Sequence, residues 1–128
     1  MGNGSSSRLT AVISTPNEKR KGTYSLTKEY HHNETRYYIF ESKRRFTDKR
    51  NNFIKIRIFY GNKLLEKFLV TFRESDISVV EGKTIYKYNS TNDKGTSKVI
   101  VNIHNNRIES VAYQKSDSLQ FKINGEII

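Results

Sequence analysis

The chain contains no cysteine and no tryptophan, a single proline, and no apolar run of the length a membrane span needs. Without thiols there are no disulfides, no cysteine zinc sites, no thiol nucleophiles and no palmitoylation. No apolar h-region follows the first methionine, so a secretory signal peptide is not expected. Catalytic motifs are missing too: there is no Gly-X-Ser-X-Gly elbow, no phosphate-cradling glycine loop and no His-Glu-X-X-His. The carboxylates are scattered singly along charged stretches, where solvated surface is their ordinary role. A non-enzyme without catalytic residues, metal or cofactor is the expectation.

What is present is positive charge and aromatic bulk. The 128 residues hold 23 Lys+Arg against 13 Asp+Glu, for a net charge of +10. Eight tyrosines and seven phenylalanines bury far more area per residue than alanine or valine, enough for one modest core in one domain.

Apolar residues recur every second position. In Phe53 to Tyr60, Ile54, Ile56 and Ile58 share one face, while Lys55 and Arg57 occupy the other. That is the pattern of a strand buried on one side. Gly22 to Tyr30, Thr35 to Lys43, Lys98 to His104 and Leu119 to Ile123 alternate likewise. Gly61-Asn62, Asn105-Asn106 and Asn124-Gly125 fall between such runs and tolerate the positive φ of tight hairpins. For the hairpin around Gly61, a three-residue loop places Ile56 opposite Phe68 and Ile54 opposite Val70, so the buried face selects that register. Ser75 to Val80 reads as a short turn at most. The expected fold is all-β: an antiparallel meander of about eight strands in sequential hairpins, forming a small barrel or a two-sheet sandwich.

Residues 1–21 differ in composition from the β domain at 22–128. Met1 to Ser7 is a Gly/Ser stretch, read as a flexible arm. A short apolar patch follows at Leu9 to Ile13, a candidate first strand, and then the basic run Lys19-Arg20-Lys21. The terminus Met1-Gly2-Asn3-Gly4-Ser5-Ser6 matches the N-myristoylation pattern, with Gly2 as the acylated amine. One acyl chain binds a bilayer with a constant on the order of 10⁴ per molar, so lasting attachment needs a second signal. Charge supplies one: residues 1–57 hold 13 Lys+Arg against five Asp+Glu, whereas residues 58–128 hold ten against eight. The cations cluster as Lys19, Arg20 and Lys21; Lys43, Arg44 and Arg45; and Lys49 and Arg50. An acylatable terminus beside basic clusters resembles small viral matrix or accessory proteins and other acylated peripheral proteins. The likeness covers about twenty residues, and the Cys/His metal module of some such matrix proteins is missing.

The resemblance implies a peripheral protein on the cytoplasmic face of a membrane, binding anionic lipid and a protein partner, with self-association open to it through a free sheet edge. Two alternatives use the same residues. Tyr37, Tyr38, Phe40, Phe53 and Phe59 interleave with Arg36, Lys43, Lys55 and Arg57, as in a β-barrel that binds single-stranded nucleic acid. Tyr24, Tyr30, Tyr37, Tyr86 and Tyr88 can line a ligand cavity if a barrel is open inside, although a filled interior is the commoner outcome at this size. His31, His32 and His104 form no ligand spacing, and a metal site built from His31, Glu34 and His104 is the weaker reading beside exposed turn histidines. Three Asn-X-Ser/Thr sequons, at Asn3, Asn33 and Asn89, read as chance matches.

Overall fold

Residues 8–47, 52–73, 75–116, 122–123 and 126–127 are described by the computed structural model. Among them the period-two pattern becomes β1 (Leu9–Ser14), β2 (Lys21–His32), β3 (Thr35–Glu41), β4 (Phe53–Tyr60), β5 (Lys63–Thr71), β6 (Asp76–Val80), β7 (Lys83–Thr91), β8 (Ser97–His104) and β9 (Arg107–Ser116). The pairs Lys122–Ile123 and Glu126–Ile127 add a minimal hairpin, β10 and β11. No α-helix occurs among the described residues. The first nine strands form one antiparallel sheet in the order β5-β4-β1-β2-β3-β9-β8-β7-β6.

The fold is thus all-β and antiparallel, and its sheet is not closed into a barrel. Consecutive strands pair along most of it, but β1 also pairs with β4, and β3 with β9. Sequential hairpins alone therefore do not describe the order. β1 is a central strand, hydrogen-bonded on both sides, with Leu9, Ala11 and Ile13 fully buried. The candidate strand at Leu9 to Ile13 is thus part of the sheet, which begins within residues 1–21. Ser75 to Val80 is not a turn: Asp76–Val80 is the edge strand β6, joined to β7 through Glu81 and Gly82, both at positive φ.

The β4–β5 hairpin keeps the register that burial demanded, with Ile54 opposite Val70 and Ile56 opposite Phe68. The extra residue lies elsewhere, however. Tyr60 faces Lys63 across a two-residue Gly61-Asn62 turn, and the ladder shifts beside Ile58, leaving Leu65 as a bulge. Gly61 sits at φ 60°, which a tight turn can impose on glycine without steric cost. A bulge absorbs one residue and adds twist, so the short turn and the buried isoleucine face coexist. Asn105-Asn106 and Asn33-Glu34 likewise make tight turns with both residues at positive φ.

Twist and bulges curl the sheet until β5 approaches β7. No ladder joins these two strands; side chains do. Ser90 Oγ donates to the Leu69 carbonyl at 2.6 Å, and Phe72 meets Tyr88 edge-on with ring centroids 5.0 Å apart. Deeper in the seam, Glu66 of β5 accepts hydrogen bonds from Tyr113 Oη of β9, from Ser97 Oγ at 2.6 Å and from Asn92 Nδ2 at 2.8 Å. Inside the curl, Tyr24, Tyr38, Phe40 and Tyr113 pack against Ile54, Ile56, Ile58, Val99, Val101 and Val111, all at most 1% exposed.

Candidate functional site

The basic end of the molecule is built on the β1–β2 connection. Thr15 is buried just past β1, and its backbone N–H donates to the Arg20 carbonyl at 3.1 Å. The Asn17 carboxamide oxygen accepts from Thr15 Oγ1 at 2.8 Å and from the Lys19 N–H at 3.0 Å. Such short polar side chains hold a turn by capturing neighbouring backbone groups. Lys19, Arg20 and Lys21 are left facing solvent.

Glu18, the acidic neighbour in this loop, turns away from them. It adopts φ 60°, and its carboxylate meets Lys55 Nζ at 3.3 Å and Arg57 Nη1 at 3.2 Å on the outer face of β4. The hydrogen bond from Lys55, reinforced by the Arg57 charge, holds its carboxyl below the ordinary glutamate value.

The second wall of the site is the segment after β3. Ser42 Oγ donates to the Arg44 carbonyl at 3.0 Å and accepts from the Arg44 N–H at 3.1 Å, bending the chain across the end of the sheet. Phe46 then anchors it. The Phe46 ring is 6% exposed, and a Cβ added at Gly22 would stand 3.1 Å from its Cδ2, so the ring lies directly on the glycine. The Phe46 N–H donates to Tyr24 Oη at 2.7 Å, and Tyr24 in turn donates to the Ile108 carbonyl at 2.6 Å. The Ile108 N–H returns a bond to the Phe46 carbonyl at 2.9 Å. Burial pushes the Tyr24 hydroxyl above the ordinary tyrosine range, so it stays protonated and can keep donating.

These two walls bring five of the sequence-selected cations together. Arg20, Lys21, Lys43, Arg44 and Arg45 line a groove of about 470 Å³, with Thr23 and Ser42 beside them. Lys19 adjoins it on the same loop. The Arg20 guanidinium is 5.0 Å from the centroid of Phe46, a cation–π contact that fixes its position. Among the described residues, no carboxylate lies within ion-pair distance of any of the six cations. Lys43 and Arg45 also border a second groove of about 810 Å³ that adds Arg107, together with Glu41 and Glu109.

Phe46 as a buried floor and Arg107 as a further cation were not singled out from sequence. The near-bare turn Asn105-Asn106 was the available signal for Arg107, because it ends at that residue. Gly2, Lys49 and Arg50 lie outside the described residues.

The groove and the start of the sheet are at opposite ends. Leu9 pairs with Tyr60 beside the Gly61-Asn62 turn, whereas Ser14, at the groove end, pairs with Lys55 and Lys21. At about 3.3 Å per residue, the length of β1 separates the two ends by roughly 17–20 Å. The Arg8 carbonyl accepts from the Gly61 N–H at 3.1 Å, and its guanidinium stands 4.9 Å from the Tyr60 ring.

The aromatic residues of the two alternative readings are dispersed. Tyr38 and Phe40 are in the core, and Phe53 and Phe59 are half-buried. Tyr30 and Tyr37 stack on each other on the outer face, with centroids 4.7 Å apart and Lys28 Nζ 5.3 Å from the Tyr30 ring. Tyr24 is part of the filled interior, while Tyr86 and Tyr88 line an open groove of about 740 Å³ with Phe72, Ile103 and Ile108. His31 and His32 are successive strand residues and project to opposite faces; the His104 ring contacts the Thr84 carbonyl at 3.1 Å. Among the described residues, no three His, Asp or Glu side chains converge as a metal site. Set beside known proteins, the chain matches no family model, no curated protein and no solved structure.

Proposed function

We propose that this chain is a non-enzymatic peripheral membrane protein that docks on an anionic leaflet through its basic end and is held there by an acyl group on Gly2. The observation that carries the reading is the groove itself. Two segments more than twenty residues apart in sequence converge to expose six cations, and the nearest loop carboxylate, Glu18, is drawn off to Lys55 and Arg57. Each basic residue held near an anionic leaflet contributes about 1 kcal/mol, enough in sum to extend the brief residence that one acyl chain provides. The seven residues from Gly2 to Arg8 extend to roughly 24 Å at most, which spans the length of β1. An acyl group and the groove can therefore engage the same surface. The corresponding location is the cytoplasmic face of a membrane.

Sedimentation with vesicles tests the proposal. Acylated protein is expected to pellet with vesicles containing phosphatidylserine, and both Gly2→Ala and raised salt are expected to reduce the bound fraction. Intact mass of the protein from its own host should show an addition of about 210 Da, the size of a myristoyl group. An unmodified glycine overturns the acylation, and failure to pellet with anionic vesicles overturns the docking.

A second reading, binding of single-stranded nucleic acid, draws on the same cations and on the stacked Tyr30–Tyr37 pair beside Lys28. It requires an oligonucleotide to bind more tightly than vesicles of equal phosphate content.

A further inference from the structure

We propose that the groove between Arg20 and Arg45 is a cradle for clustered phosphomonoesters, such as a polyphosphorylated inositol ring, and not only a patch of diffuse positive charge. The inference rests on the anionic-surface reading above and names the chemistry that the site prefers. A leaflet of singly charged headgroups is met adequately by cations spread over a convex surface. Here the cations stand on two facing walls, Arg20 and Lys21 on one and Lys43, Arg44 and Arg45 on the other, so their fields converge on the space between them. The groove volume of about 470 Å³ falls in the range of small-ligand sites.

Residue type points the same way. Three of the five cations are arginines, whose planar forks match phosphate oxygens in pairs, whereas diffuse attraction to a surface does not distinguish arginine from lysine. Arg20 is also held in place by the Phe46 ring at 5.0 Å, which lowers the cost of ordering it on a ligand. Phe46 is itself fastened through Tyr24 to Ile108, so the wall is set before any ligand arrives.

The test uses the full-length protein and two sets of phosphatidylcholine vesicles matched in surface charge, one doped with phosphatidylinositol bisphosphate and the other with phosphatidylserine. Binding is expected to be about tenfold tighter to the bisphosphate vesicles, and soluble inositol hexakisphosphate is expected to compete. Arg20→Lys keeps the charge and should abolish the preference, as should the triple variant Lys43→Gln/Arg44→Gln/Arg45→Gln. The control variant Lys63→Gln/Lys67→Gln/Lys94→Gln, which removes equal charge from exposed residues outside the groove, should retain it.

Equal affinity for both vesicles, tracking charge alone, overturns the cradle and leaves the anionic-surface reading standing. Binding to neither vesicle and not to the soluble polyphosphate overturns both. Binding of the soluble polyphosphate alone supports the cradle, assigns it a free ligand and overturns the membrane reading. An oligonucleotide that displaces the bisphosphate vesicles at equal phosphate concentration overturns the assignment in favour of nucleic acid.

Discussion

Three side chains decide how the basic end and the seam are held, and each can be tested singly. Tyr24 accepts from Phe46 and donates to Ile108 with one hydroxyl. Tyr24→Phe removes that oxygen and leaves the Phe46 N–H without its partner, at a cost of about 1–3 kcal/mol. Thermal denaturation should show the loss, and vesicle binding should weaken although no charge has changed. Glu66 gathers Tyr113, Ser97 and Asn92 at the seam. Burial, and next the Glu66 carboxylate, raise the Tyr113 hydroxyl far above the ordinary tyrosine value, so it remains a donor at any working pH. Glu66→Ala strands these donors and should cost about 3 kcal/mol in urea unfolding. Glu18 has a folded-state pKa below its ordinary value because of Lys55 and Arg57. Its contribution is therefore present above the unfolded-state value and is lost as pH falls through the folded one. An NMR titration should place the Glu18 carboxyl below 4.5, the ordinary value, and Glu18→Gln should remove this acid-side component of stability.

At the scale of elements, the hairpins show how local chemistry and burial share the work. Gly61-Asn62 closes a two-residue turn, and the Leu65 bulge then restores the isoleucine face of β4 to the core. Arg57 and Lys67 face each other outside, a like-charged pair that the buried register imposes. Opposite like charges cost a few tenths of a kcal/mol, whereas a one-residue slip would turn Phe68 and Val70 outward, each worth about 1.5–3 kcal/mol of burial. Burial wins. The edge strand β6 is the converse case: Ile77 is 62% exposed and Val79 68% exposed, on the face they share with their β7 partners Tyr86 and Thr84. An exposed apolar edge is prone to pair with another chain. Val79→Lys should leave unfolding stability within about 0.5 kcal/mol of the parent and raise the temperature at which the protein aggregates, read by light scattering during heating.

For the whole molecule, the organising feature is a sheet that curls without closing and so presents two different ends. One carries the Gly61-Asn62 and Asn33-Glu34 turns and receives the chain at Leu9. The other collects the β1–β2 loop, the segment after β3 and the Asn105-Asn106 turn, which together carry the basic grooves. Antiparallel order produces this sorting, because alternate connections fall at alternate ends. Six of the 13 cations of residues 1–57, namely Lys19, Arg20, Lys21, Lys43, Arg44 and Arg45, thereby gather at one end.

Much of the architecture was legible in the residues alone. Alternation of Ile54, Ile56 and Ile58 marked a one-sided strand, and Gly61-Asn62 and Asn105-Asn106 marked two of the tight turns, because side-chain periodicity and positive-φ tolerance are local properties; Asn124-Gly125 lies outside the described residues. The cationic clusters could likewise be named in advance. Other features required the curled sheet. Asp76–Val80 is a strand only because β7 lies beside it, and Leu9–Ser14 is central only because β4 and β2 close on both its sides. The meeting of Arg20 with Phe46, and of Glu66 with Tyr113, joins positions far apart in the chain. Such meetings depend on twist, bulges and the filling of one shared core, which are settled by all the strands together and by no stretch of sequence on its own.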